Sequence, residues 1–199
     1  GVRRTDKGGG ADPDTVFEDV GLAIQDGATQ IDIVFPYLTL FAGRENRIYV
    51  RDMLKACRQA CGDDVSMTTI METSVFKGLS EQTLRFACQL AIENGTDFLM
   101  TSTGVHEKGG ADLITAAVLM DEIVQADRDV GIIVSGDFQF NKDVAPYIAL
   151  AQMVMGGHSI HPYYFRVAAS SEALLPELLS MAAKFEQSEN EEDVQRIGF

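Results

Sequence analysis

The sequence predicts an α/β fold built on a parallel sheet, and three observations carry that reading. Short, largely β-branched runs alternate with amphipathic helical stretches, the connections between them are only a few residues long, and several runs end in small polar residues or glycine. Runs that stay apolar without a polar partner at every second position are the mark of strands covered on both faces, as parallel strands are. Strict alternation with short connections implies right-handed βαβ units, in a sheet either doubly wound or curled as part of a barrel. Glycine-rich fingerprints of the dinucleotide or P-loop type are absent, which disfavours a nucleotide-binding doubly wound sheet.

Each element has its own warrant. Residues 1–11, with Gly8-Gly9-Gly10, read as a flexible lead-in. A helix then opens on Asp12 as N-cap with Pro13 at its first position, carries Val16, Val20 and Ile24 on one side with Phe17 and Leu22 flanking, and closes at Gly27. Ile31-Asp32-Ile33-Val34-Phe35, closed by Pro36, is a buried strand interrupted by one acid. The second helix, Arg47 to Cys61, places Val50, Met53, Leu54, Cys57 and Cys61 on one face by spacings of three and four. Val65 to Met71 is the next strand, with Glu72-Thr73 at its C-terminal end. Ser80 caps a third helix that turns Leu84, Ala87, Cys88 and Ala91 inward and ends at Gly95.

The third strand, Phe98 to Ser102, breaks into hydroxyls and then a glycine: Thr101-Ser102-Thr103-Gly104. A helix from Asp112 to Gln125 is expected to bury Leu113, Ala116, Ala117, Met120 and Val124. Strand Gly131 to Val134, ending in Ser135-Gly136-Asp137, helix Asn141 to Met155, strand Tyr163 to Val167, and a last helix from Ser170 to Lys184 complete five strands and six helices. Residues 12–185 thus form the folded domain, and 186–199 an acidic tail.

Composition narrows the function classes. Sixteen basic against thirty acidic residues give a net charge of −14, which argues against nucleic acid or an anionic membrane surface as partner. The three cysteines, Cys57, Cys61 and Cys88, lack zinc-type spacing and read as buried thiols in a reducing compartment. No apolar run has membrane-span length and no hydrophobic signal region follows Arg3 and Arg4, so the expected location is cytoplasmic.

In a parallel barrel the strand C-termini share one face. That face would gather Asp32, Glu72, the run Thr101 to Gly104 with His106 after it, Ser135-Gly136-Asp137, and Ser170-Ser171 at a helix N-terminus suited to a phosphate. The plainer readings are a hydroxyl-rich turn at Thr101 to Gly104, a simple Ser N-cap at Ser170, and acids that hydrogen-bond nearby backbone. His158 and His161 around Pro162 read as loop residues away from the barrel mouth.

Ile31-Asp32-Ile33-Val34-Phe35-Pro36-Tyr37, Lys55-Ala56-Cys57 through Cys61, Ile70-Met71-Glu72-Thr73, Thr101-Ser102-Thr103-Gly104 and Arg166-Val167-Ala168-Ala169-Ser170-Ser171 stand in an order and spacing that resembles the deoxyribose-phosphate aldolase family over residues 12–182. The resemblance implies a (β/α)8 TIM-type barrel whose enzyme joins acetaldehyde to glyceraldehyde 3-phosphate through a lysine Schiff base, without a cofactor or metal. It covers the last five of eight βα units. Three further strands are then expected upstream, unless a second copy or another partner closes the sheet, because an open sheet would leave two exposed edges.

The same resemblance marks departures. Met100 stands where the family has the Schiff-base lysine, and Ile133 where a second lysine lowers the pKa of the first; Thr68 and Val105 also occupy lysine positions. A thioether offers no amine to a carbonyl. Asp32 survives at the family's proton-relay position, whereas Asp137 replaces a glycine in the phosphate loop and Ala168 another glycine. Lys108 is the remaining lysine in a loop near the site.

Three functions follow as alternatives. The first is a disarmed aldolase that binds a small phosphorylated or carbonyl ligand at Thr101, Ser102, Thr103, Gly104, Ser135, Gly136, Ser170 and Ser171, or that serves as a scaffold. The second is a barrel enzyme using Asp32, Glu72, Asp137 and His106 for acid/base or metal chemistry. The third is an active family lyase, serving deoxyribonucleotide catabolism, completed by a lysine from a second subunit.

Overall fold

A computed structural model describes residues 12–43, 46–104, 110–169 and 174–180. Five strands form one parallel sheet in sequential order: β1 (Gln30–Val34), β2 (Ser66–Ile70), β3 (Phe98–Met100), β4 (Gly131–Gly136) and β5 (Phe165–Ala169). α1 (Pro13–Gln25) precedes β1; between the strands run α2 (Tyr37–Ala42), α3 (Arg47–Cys61), α4 (Glu81–Glu93), α5 (Leu113–Gln125) and α6 (Asn141–Met155), and residues 174–180 are helical after β5. Sequential order with every pair parallel is what repeated βα units produce when each crossover has the same hand.

The alternation of side chains along each strand divides the sheet into two faces. Ile31, Ile33, Met67, Leu99, Ile132 and Val134 pack into the core beneath the helices, against Val50, Leu54, Cys57, Leu119, Met120 and Val144. Each of these buried aliphatic side chains is worth roughly 1.5–3 kcal/mol relative to exposure. The other set, Asp32, Thr68, Phe98, Met100, Ile133 and Arg166, lines the concave face in register: Asp32 opposite Thr68, Thr68 opposite Phe98, Met100 opposite Ile133, Ile133 opposite Arg166.

The curvature of the sheet is that of a barrel wall. Arg166 on the last strand reaches across the concave face to Gln30 on the first, donating from Nη1 to Oε1 at 2.8 Å, while its guanidinium lies 4.0 Å from the ring centroid of Phe98. Gln30 in turn donates from Nε2 to Oδ1 of Asp32 at 2.8 Å. Gly131 makes room for Phe98, because a Cβ there would sit 2.6 Å from Cδ1 of that ring and 2.9 Å from the carbonyl oxygen of Tyr163.

Several elements differ from expectation. Tyr37–Ala42 forms a short helix, and Thr73–Phe76 a 3-10 turn, where the sequence pattern marks neither. The last strand starts at Phe165 because Tyr163 and Tyr164 belong to the turn after Pro162, with Tyr164 N–H donating to the carbonyl of His161 at 2.8 Å. On α5 the buried stripe is rotated: Ala116, Val118, Leu119, Met120, Glu122 and Ile123 face inward, whereas Leu113 and Val124 are exposed. Glu122 goes inside because Arg85 and Gln89 of α4 meet it at 2.7 and 2.8 Å. Asp12 precedes α1 as expected, but its side chain makes no capping hydrogen bond there.

Candidate active site

Because all five strands are parallel, their C-terminal ends lie on one side of the sheet, and those of β2, β3 and β4 are knitted together by side-chain hydrogen bonds. The carbonyl of Ser135, at the end of β4, accepts from Ser102 Oγ at 2.8 Å, from Thr101 Oγ1 at 3.3 Å and from the backbone N–H of Ala111 at 3.1 Å. The Ser135 N–H returns a bond to Thr101 Oγ1 at 2.9 Å. Small hydroxyls are what this joint needs, since Thr101 and Ser102 are completely buried and a larger side chain would part β3 from β4.

Glu72 ties β2 to the same run. Its carboxylate accepts from Thr103 Oγ1 at 2.6 Å, from the Thr103 N–H at 3.2 Å and from Ser74 Oγ at 3.3 Å, and it is 2% exposed. The residue adopts the left-handed conformation, with φ 49° and ψ 57°, and is the single described non-glycine residue with positive φ. Such a backbone costs on the order of 1 kcal/mol or more and is held only where surrounding contacts fix it. Tyr37, just beyond β1, faces the same carboxylate; burial first and the charge of Glu72 second raise its phenol above the usual tyrosine range.

The residues singled out in the sequence fall into three groups. Thr101, Ser102, Thr103, Ser135 and Gly136 stand together at the ends of β3 and β4, with Gly104 at φ 73° closing the run. Asp32, Met100 and Ile133 line the concave face, Met100 and Ile133 as register partners on adjacent strands. Gly110 packs so near Gly136 that a Cβ would lie 2.9 Å from its Cα. Val105, His106, Lys108, Ser170 and Ser171 lie outside the described residues. His158 and His161 are exposed in the segment before β5, as the loop reading has them.

Of the acid cluster weighed from the sequence, the described members Asp32, Glu72 and Asp137 do not converge, and His106 lies outside the described residues. Among the described residues no three of His, Cys, Asp and Glu gather in an arrangement able to hold a metal ion. Glu72 is turned onto Thr103, Asp32 onto Gln30, and Asp137 is exposed beyond β4. Sequence reasoning missed Gln30 as the partner of Asp32, and behind it Arg166, which bonds Gln30 and stacks on Phe98; the Arg166–Gln30 contact joins the first strand to the last, and only the curvature brings them together.

A curved sheet of parallel strands in sequential order, with polar side chains gathered at the strand C-termini, is part of a (β/α)8 barrel of the TIM type. Comparison with known proteins agrees: the family model described as DeoC/LacD family aldolase matches residues 4–155, and the chain belongs to that family. It is 34% identical over 175 residues to a deoxyribose-phosphate aldolase of Agrobacterium fabrum (strain C58), covering 88% of this chain and 65% of that protein, so it spans less than two-thirds of that relative.

Solved structures share the fold. The apo form of a candidate deoxyribose-phosphate aldolase from Toxoplasma gondii ME49 superposes with a TM-score of 0.77 at 21% identity, over 90% of this chain and 69% of that one. A tetrameric deoxyribose phosphate aldolase from Aeropyrum pernix superposes with a TM-score of 0.61 at 17% identity, over 92% of this chain and 68% of that one. Among the described residues no helix is long and apolar enough to cross a membrane.

Proposed function

We propose that this chain keeps the wall of an aldolase pocket but does not form the Schiff base, and that its residual role is to bind a small carbonyl or phosphorylated ligand, or to act as a scaffold. One observation carries the reading. Met100 and Ile133, at the positions where the family resemblance places the two lysines, are direct register partners on adjacent strands of the concave face. No described strand contains a lysine; of the described lysines, Lys55 is exposed on α3, Lys77 pairs with Asp112 at 3.3 Å and Lys142 lies over Phe140. Without a primary amine at the pocket floor, carbinolamine formation has no nucleophile there.

The proposal extends to organisation and setting. Residues 12–185 form the barrel portion, preceded by a lead-in and followed by an acidic tail. The two sheet edges, β1 and β5, are closed by further βα units, by a second copy or by another partner, in a cytoplasmic protein. Thr101, Ser102, Thr103, Gly104, Ser135 and Gly136 shape the ligand pocket, with Ser170 and Ser171 holding a phosphate, and Asp32 retains its position without a lysine to serve.

The test is borohydride trapping. The chain is incubated with acetaldehyde or glyceraldehyde 3-phosphate, reduced, and weighed by intact-mass spectrometry. No covalent adduct is expected from the protein as it stands, whereas the double substitution Met100→Lys with Ile133→Lys should give one adduct at position 100. Specific labelling of any lysine in the unsubstituted chain would overturn the reading and favour an active lyase.

A further inference from the structure

We propose that the chain binds an aromatic carboxylate at the N-terminal ends of β2, β3 and β5, on the side of the sheet opposite the candidate active site. The inference is independent of the aldolase reading. A cavity of about 560 Å³ opens there among Ser66, Phe98, Arg128, Tyr163 and Arg166. That volume falls within the range of roughly 300–1,000 Å³ that small-molecule pockets occupy. Ser66 opens β2, Phe98 opens β3, and Arg166 follows the first residue of β5, so the lining belongs to rigid strand starts.

The inner wall is cationic. Arg58 and Arg128 share the carboxylate of Asp97 at 2.8 and 3.5 Å, and Asp97 also accepts from the Met67 N–H at 2.8 Å. Arg128 is anchored further by the carbonyls of Ile92 at 3.0 Å and Thr96 at 2.9 Å. Among the described residues Arg166 has no carboxylate partner: its Nε donates to the Pro162 carbonyl at 2.7 Å and its Nη1 to the Gln30 amide oxygen at 2.8 Å. Three guanidiniums therefore face one carboxylate, an excess of positive charge that draws in an anion. Asp63, Asp64 and Asp129 stand on the rim, all exposed, where solvent screens them. They oppose a doubly charged phosphate more than a singly charged carboxylate.

The number of open donors points the same way. Two donors of cavity-lining residues have no partner among the described residues: Nη2 of Arg166, and the hydroxyl of Ser66, whose oxygen is buried. They belong to neighbouring points of the concave face, because Gln30, which holds the Arg166 guanidinium, is the register partner of Ser66. A buried hydroxyl left without a partner costs about 1–3 kcal/mol, and a ligand oxygen accepting from it removes that cost. One carboxylate has one oxygen for each donor. The guanidinium is already oriented by its stack on Phe98 at 4.0 Å, so little freedom is lost when it binds.

The aromatic part of the ligand follows from the mouth. Tyr163 is 72% exposed, with its ring stacked on His161 at 5.1 Å between centroids. Its backbone N–H also donates to His161 Nδ1, at 3.4 Å, which fixes the ring's position. A large, held, solvent-facing ring beside a cationic wall offers a second ring about 0.5–1.5 kcal/mol beyond simple burial.

Amide NMR spectra of the native chain during titration with sodium benzoate test this directly. Expected are saturable shifts at Ser66, Phe98, Tyr163 and Arg166, with the amides of Thr101 to Gly104 unmoved. Cyclohexanecarboxylate, which keeps the charge and loses the aromatic ring, should bind about threefold more weakly. Inorganic phosphate at the same concentration should leave those amides in place. Ser66→Ala removes a hydroxyl that has no partner among the described residues, so it should keep the parent's thermal midpoint while weakening benzoate about tenfold. Tyr163→Ala, at an exposed position, should weaken it about fivefold. Shifts confined to Thr101 to Gly104, benzoate binding to Ser66→Ala as tightly as to the parent, displacement of benzoate by phosphate, or no saturable shift at millimolar benzoate would each overturn the proposal.

Discussion

The carboxylate of Glu72 grips Thr103 by both its hydroxyl, at 2.6 Å, and its backbone N–H, at 3.2 Å, joining the C-terminal ends of β2 and β3 across 31 residues of sequence. The left-handed backbone of Glu72 is maintained by that grip. Glu72→Ala should remove it and keep the backbone cost, lowering stability by about 1–3 kcal/mol in urea denaturation. Glu72→Gln, whose amide oxygen still accepts from Thr103, should lose roughly half as much. Equal losses in the two variants would show that the charge, not the geometry, holds the joint.

Arg166 combines a stack on Phe98 at 4.0 Å with hydrogen bonds to Gln30 at 2.8 Å and to the Pro162 carbonyl at 2.7 Å. A planar guanidinium is needed for all three at once, so Arg166→Lys should destabilise nearly as much as Arg166→Ala, by about 1–3 kcal/mol. A double-mutant cycle with Gln30→Ala should give a coupling of about 0.5–1.5 kcal/mol if the sheet is as curved in solution as here. Zero coupling would mean that β1 and β5 do not approach each other.

How much of this was readable from the chain depends on the range of the interaction. Strands such as Gly131 to Val134 declare themselves because burial on both faces demands continuous apolar runs, and α3 does so because Val50, Met53, Leu54, Cys57 and Cys61 fall on one stripe. The stripe of α5 is masked: Glu122 is a buried acid, so an apolar pattern points to Leu113 and Val124 instead. Tyr37–Ala42 is too short to show a period. At the site, the hydroxyl run and the acid before it were legible as a strand end, yet their pairing with Ser135 and with each other needed the register. The Arg166–Gln30 contact, 136 residues apart, has no local signal at all.

Gly131 leaves the space that the Phe98 ring fills, and the ring in turn carries Arg166. Gly131→Ala should cost about 1–3 kcal/mol by overpacking, read as a lower thermal midpoint. In a Phe98→Leu background the same substitution should cost much less, because the atoms it meets are gone. An undiminished cost there would place the clash on the Tyr163 carbonyl instead.

Acid sensitivity should trace to carboxylates at helix starts. Burial pushes the Asp112 carboxyl up, but the N–H of Thr115 at 2.9 Å, the Thr115 hydroxyl and Lys77 outweigh it, and the net pKa is lowered. Asp143 is likewise lowered, by the N–H groups of Phe140 at 2.9 Å and Gln139 at 3.0 Å. A folded-state pKa below the unfolded value of about 3.9 means that the unfolded chain binds more protons in between, so stability rises with pH across that window. The contribution is complete above about pH 5 and is lost as pH falls through the folded-state values. Thermal midpoints from pH 7 to pH 3 should therefore decline, and Asp112→Asn should start lower at pH 7 but decline less. A variant that parallels the parent chain at every pH would remove Asp112 from the account.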